Sequence, residues 1–140
     1  MELQRVASIM QDTGTDWCLF VPGAPVMVPW QEAAVYLAAD AFPLLRPPLA
    51  AALPGLVAPG VTRAGGPEAA GLAHRLRGHA LLARAAPSAA ALYPAGILLP
   101  ATAGTDWAQQ RRAIAGLAEA LAAWCDEAGV QISGISILAV

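Results

Sequence analysis

The sequence predicts an α/β or α+β fold, a small mixed sheet of three or four strands covered by helices and ending in a βαβ unit. Three observations carry that expectation. Apolar runs bounded by turn residues occur at 17–21, 96–101 and 130–140, as buried strands require. Between them, apolar residues recur at helical spacing. The last third then reads strand, helix, strand, and a crossover of that length joins parallel strands with a right-handed connection.

Taken in order, Leu3, Val6, Ala7 and Met10 stand at i, i+3, i+4 and i+7, which predicts a helix over 2–12 closed by Gly14. WCLFV (17–21) is a strand buried on both faces. Pro22-Gly23 favours a type II turn, and Val26, Met27 and Val28 form a candidate return strand. Pro29 opens a helix over 30–42, WQEAAVYLAADAF, with Trp30, Ala34, Leu37 and Ala41 roughly on one side. Proline is dense from 43 to 66, so this segment is expected to be a loop or flap with only a turn or two of helix near 48–53. Pro67 starts a longer helix that ends before Pro87, with Leu72, Leu76, Ala80 and Ala83 as its inner stripe. GILLPA (96–101) reads as a strand. The stretch from Asp106 to Gly129 reads as a helix with Ile114, Leu117, Leu121, Trp124 and Cys125 inward, stopped by Gly129, and 130–140 as the closing strand.

With 140 residues, the chain fits one domain over 1–140. Charged residues make up only 13% against a typical quarter or so, while 34 alanines inflate the apolar fraction. All eight basic residues are arginine, which fits a GC-rich bacterial host. A surface so poor in charge tends to be covered, so a homo-oligomer or a protein partner is expected. The net charge of −2 offers no electrostatic argument for nucleic acid or an anionic membrane. The uncharged run 85–105 contains Pro87, Pro94 and Pro100, which argues against a membrane span. MELQRVASIMQDTG has no apolar core of a signal peptide, and a cytoplasmic location is the expectation. Cys18 and Cys125 sit in apolar contexts that suit buried free thiols.

Gly-Thr-Asp-Trp occurs twice, at 14–17 and 104–107. In the second copy Asp106 is placed to cap a helix, with Gln109 at capping-box spacing and Thr105 as a rival cap. In the first copy Asp16 precedes a strand, nothing else aligns around the two stretches, and the echo reads as coincidence. His74 and His79 stand five apart in HRLRGH, a spacing that turns them about 140° from one another on an ideal helix, so they read as solvated or packed side chains and no metal is expected. Gly65-Gly66-Pro67-Glu68 reads as a glycine turn with a proline start. No nucleophile elbow, Walker loop or dinucleotide fingerprint is present, and no cofactor is expected.

Two function classes follow. The leading expectation is a non-catalytic protein-binding or assembly module, with Trp30 as an exposed anchor. Arg111 and Arg112 near the start of the final helix, and Asp126 and Glu127 near its end, oppose the helix macrodipole. Pairing of Asp126 and Glu127 with Arg75, Arg77 and Arg84, within the chain or across a subunit boundary, would relieve that conflict. The alternative is a small enzyme or ligand-binding sensor with a pocket near the 101–112 strand-to-helix loop, built from Thr102, Gly104, Thr105, Arg111 and Arg112, with Asp16, Asp106 or a histidine as its reactive group.

Overall fold

The computed structural model describes residues 4–5, 17–22, 35–38, 42–56, 60–95, 106–131 and 135–139. Five strands, β1 (Gln4–Arg5), β2 (Trp17–Pro22), β3 (Val35–Ala38), β4 (Gly60–Ala64) and β5 (Ile135–Ala139), form one sheet in the order β1-β3-β2-β5-β4. Every neighbouring pair is antiparallel. Three α-helices hold most of the remaining described residues: α1 (Phe42–Ala52), α2 (Gly66–Ala85) and α3 (Trp107–Gln131), with a 3₁₀ segment at Ala89–Ala95.

The expected small mixed sheet of three or four strands, ending in a βαβ unit, is not what forms. The protein is dominated by its helices, and its sheet contains no parallel pair among the described residues. β5 is flanked by β2 on one side and β4 on the other, both antiparallel, so no place beside it remains for a parallel partner. A connection that returns a strand antiparallel to its neighbours needs no crossover handedness.

Several local expectations change with it. Gln4 and Arg5 lie in a strand paired with Val35 and Tyr36, where a helix over 2–12 was expected. Residues 35–38 form β3 rather than part of a 30–42 helix, because Val35 and Tyr36 suit a strand that β2 and β1 pair on either side. The 43–66 segment is not a loop or flap: it holds the eleven-residue α1 and the strand β4. α3 runs past Gly129 to Gln131. The candidate strands at 26–28 and 96–101 lie outside the described residues.

β2, α2 and α3 form where expected. Leu72, Leu76, Ala80 and Ala83 of α2 are all buried, as are Ile114, Leu117, Leu121, Trp124 and Cys125 of α3. α2 begins with Gly66 and Pro67, where a missing N–H is harmless. The Glu68 carboxylate turns back to accept from the Gly65 N–H at 3.4 Å, next to the positive end of the helix. At the start of α3, Asp106 Oδ1 accepts from the Ala108 N–H at 3.2 Å, the capping role expected of it.

α2 and α3 run antiparallel, with Arg77 paired to Asp126 and Arg84 to Glu119 two turns further along. Alanine recurs among the buried residues of both helices. Ala69, Ala73, Ala80 and Ala83 on one helix and Ala115, Ala118 and Ala122 on the other are fully buried, and such small side chains let two helix axes approach closely. The core extends from these two helices to the sheet, where Val35, Leu37, Ala64, Ile135 and Ile137 join the same buried cluster. Ser136, between the two isoleucines, is also buried, and its Oγ accepts from Arg63 Nη1 at 3.0 Å across the β4–β5 pair.

Candidate functional site

α1 contains Pro47 and Pro48 in its interior. Neither has an N–H, so the carbonyls of Pro43 and Leu44, four residues earlier, lose their intrahelical donors. The Leu44 carbonyl is satisfied from another helix: His79 Nε2 on α2 donates to it at 2.8 Å. Because a carbonyl can only accept, this bond places the imidazole proton on Nε2 and leaves Nδ1 with its lone pair. Burial pushes the His79 pKa below the ordinary histidine value, and the bond to Leu44 opposes that shift only in part, so the ring is held neutral.

α1 and α2 border a groove of about 660 Å³. Pro47, Pro48 and Ala51 form the α1 wall. Gly71, His74, Arg75, Gly78, His79 and Leu82 form the α2 side, at spacings of three and four that put them on one helical face. His79 is only 6% exposed, yet it lines this groove. Its Nδ1 has no partner among the described residues, and none of their sealed side-chain nitrogens or oxygens lacks a hydrogen bond. With Nε2 committed to Leu44, Nδ1 is the acceptor of a ring whose residue lines the groove.

Gly71 and Gly78 leave the α2 backbone bare. A Cβ built on either would meet nothing within 4 Å. Arg75 is exposed and has no hydrogen bond or ion pair among the described residues, His74 is exposed, and no carboxylate among the described residues lines the cavity. Leu82, an exposed large apolar side chain at 43%, also lines the groove.

The residues expected from sequence to interact are distributed differently. Arg77 and Arg84 are held within the chain by Asp126 and Glu119, and Arg84 Nη2 reaches the second Glu119 oxygen at 2.9 Å. Glu119 thus takes a role that sequence reasoning gave to Asp126 and Glu127. Its carboxyl is held below the usual range by the hydrogen bond from Arg84, and the guanidinium is raised in turn. Glu127 is exposed on α3. Arg111 and Trp107 reach the same acceptor, the Ala86 carbonyl at the end of α2, at 3.4 and 2.8 Å. Arg112 Nε donates to the Ala108 carbonyl of its own helix at 3.0 Å. Trp30, Asp16, Thr102, Gly104 and Thr105 lie outside the described residues.

Antiparallel packing resolves the charge order of α3. Arg111, unfavourable at the positive end of α3, sits at the negative end of α2, and Asp126, unfavourable at the negative end of α3, meets Arg77. Cys125 is fully buried, and burial, with the charge of Asp126 adding to it, pushes its thiol up to about 12, which makes it a poor nucleophile. Among the described residues no group of three His, Cys, Asp or Glu is arranged to hold a metal ion. None of their helices is long and apolar enough to cross a membrane. No family model, curated protein or solved structure matches this chain.

The sequence signal for the groove was available but incomplete. Gly71, Arg75, Gly78 and Leu82 recur at i, i+4, i+7 and i+11 on a helix whose other positions are largely alanine and leucine. The second wall is not legible locally, because the prolines of 43–66 favour a loop or flap with only a turn or two of helix near 48–53.

Proposed function

We propose that the protein is a non-catalytic binding module that docks a segment of another protein in the groove between α1 and α2. The observation that carries this reading is the pair of bare glycines. In an exposed helix interior each glycine costs roughly 0.5–1 kcal/mol relative to alanine, and most other small positions of α2 and α3 are alanine. Gly71 and Gly78 contribute only space, and both open that space onto one groove. The volume of about 660 Å³ lies within the range of ligand sites, but the groove is open to solvent and not enclosed, which suits a chain segment better than a small molecule. Leu82 supplies exposed apolar surface of the kind that partner helices and loops cover.

A photo-crosslinking amino acid placed at Leu82, with a control at the exposed Ala123 of α3, tests the reading in the native cell. The expected result is a discrete adduct from position 82 that disappears when Gly78→Leu fills the groove. The adduct mass separates a second copy of this chain from a different protein. Equal labelling from both positions, or an adduct indifferent to Gly78→Leu, would remove the groove as a docking surface.

A further inference from the structure

We infer that the groove selects an acidic peptide segment whose carboxylate pairs with Arg75 and whose N–H or O–H donates to Nδ1 of His79. The inference rests on the docking reading above and names the chemistry of its partner. Three features of the groove converge on that chemistry.

The first is charge. Arg75 supplies the charge of the rim, no carboxylate among the described residues lines the cavity, and Glu68, one turn before Gly71, is engaged with the Gly65 N–H. Arg77 and Arg84, the other arginines of α2, are paired with Asp126 and Glu119, which leaves Arg75 as the arginine of α2 without a partner among the described residues. The protein as a whole carries a net charge of −2, so its long-range field disfavours acidic partners. Selection of an acidic segment would have to come from this local site.

The second is the acceptor. Arg75 and His79 are four residues apart on α2 and therefore adjacent on its surface. The Leu44 carbonyl orients the ring and fixes its tautomer, so Nδ1 meets the occupant as an acceptor in one defined position. A buried imidazole with one nitrogen tied and the other left as an acceptor asks for a donor, and a peptide backbone offers one at every residue except proline. The third is the wall opposite. Pro47, Pro48 and Ala51 present uncharged, apolar side chains, and Gly71 and Gly78 let a second backbone come close to α2. An occupant that is acidic at one point, apolar beside it and able to donate from its main chain satisfies all three.

Selection from a random peptide library displayed on phage, run in parallel on the wild type, Gly78→Leu and Arg75→Glu, tests this directly. Both variants leave the core untouched, since position 78 opens on empty space and Arg75 is exposed. The expected result is enrichment of net-acidic peptides on the wild type and their loss on Gly78→Leu. Synthesised peptides should bind Arg75→Glu more weakly by about tenfold or more. In protein labelled with ¹⁵N-histidine, the His79 Nδ1 resonance should shift on peptide addition from its unbonded position.

Peptides that need the open groove but are neutral or basic, or that ignore Arg75→Glu, overturn the acidic-segment inference while leaving the docking reading intact. An unmoved Nδ1 resonance removes His79 from the contact and overturns the inference likewise. Absence of any enrichment that depends on the open groove overturns both readings.

Discussion

His79 Nε2 donates a 2.8 Å hydrogen bond to the Leu44 carbonyl, 35 residues earlier in the chain, and so replaces the N–H that Pro48 cannot supply. Pro48 and His79 are thus energetically coupled although they lie on different helices. His79→Phe leaves a buried carbonyl without a donor and should destabilise the protein by about 1–3 kcal/mol. In a Pro48→Ala background the restored N–H at position 48 can bond to Leu44, and the same His79→Phe change should then cost markedly less. Urea unfolding of the four proteins in this cycle measures the coupling; additive effects would show that the two positions do not share the Leu44 carbonyl.

The same bond has a pH signature. The folded His79 pKa is depressed, so just below about 6.5, the value of a solvated histidine, the unfolded chain binds a proton that the folded chain does not. Stability should therefore fall as pH drops through about 6.5, by up to about 1.4 kcal/mol per pH unit. The loss ends at the lower pH where the folded ring itself takes up a proton. His79→Gln retains an amide donor for Leu44 and cannot titrate, so its unfolding midpoint should lack this component between pH 7.5 and 5. Parallel pH dependence in the two proteins would argue against a neutral, buried His79.

Gly71→Ala and Gly78→Ala should each raise stability by roughly 0.5–1 kcal/mol, because the added methyl meets open space and the helix loses an entropic penalty. Gly116→Ala on α3 is the matched control, since its methyl also meets nothing. All three should raise the melting temperature, but only the first two narrow the α1–α2 groove and should weaken a bound peptide. A destabilised Gly78→Ala protein would mean that the space beside α2 is already filled.

Cys125 should resist thiol reagents in the folded protein. Its side chain is buried and its thiol pKa of about 12 leaves almost no thiolate at pH 8. In a Cys18→Ser background, the Ellman reagent should react slowly with the native protein and fully once urea unfolds it. Prompt reaction under native conditions would place Cys125 outside the α3 core face.

How much of this was legible from sequence depended on whether the decisive contacts were local. α2 and α3 repeat apolar residues at helical spacing over 20 and 25 residues, and such long periodic segments specify their own faces. WCLFV announces β2 by the same local logic. β3 is not legible locally, because the alanines and Glu32 around Val35, Tyr36 and Leu37 favour a helix, whereas its pairing comes from β1 and β2. α1 is hidden in the same way, because its prolines remove donors that a helix needs. The compensating donor for Leu44 comes from His79, beyond the reach of any local rule. The groove inherits that difficulty: Arg75 and His79 were visible as residues on a helix, but without α1 there was no wall opposite them. The charge order of α3 was legible as a conflict, and its resolution by an antiparallel neighbour was not.

That resolution yields a charge-swap test. Asp126→Arg alone faces Arg77 with a like charge and should destabilise modestly, by about 0.2–1 kcal/mol, because both side chains are nearly half exposed and screened by solvent. Adding Arg77→Asp restores an ion pair of opposite orientation, and it also places a cation near the carboxyl-terminal end of α3, where the macrodipole favours one. The double variant should therefore recover the stability of the wild type or exceed it, and the difference should shrink as salt rises toward 1 M. Denaturation of the single and double variants at low and high ionic strength checks both parts. A double variant no more stable than Asp126→Arg would show that the two residues do not face one another across the α2–α3 seam, and the antiparallel register set by Arg77–Asp126 and Arg84–Glu119 would have to be redrawn.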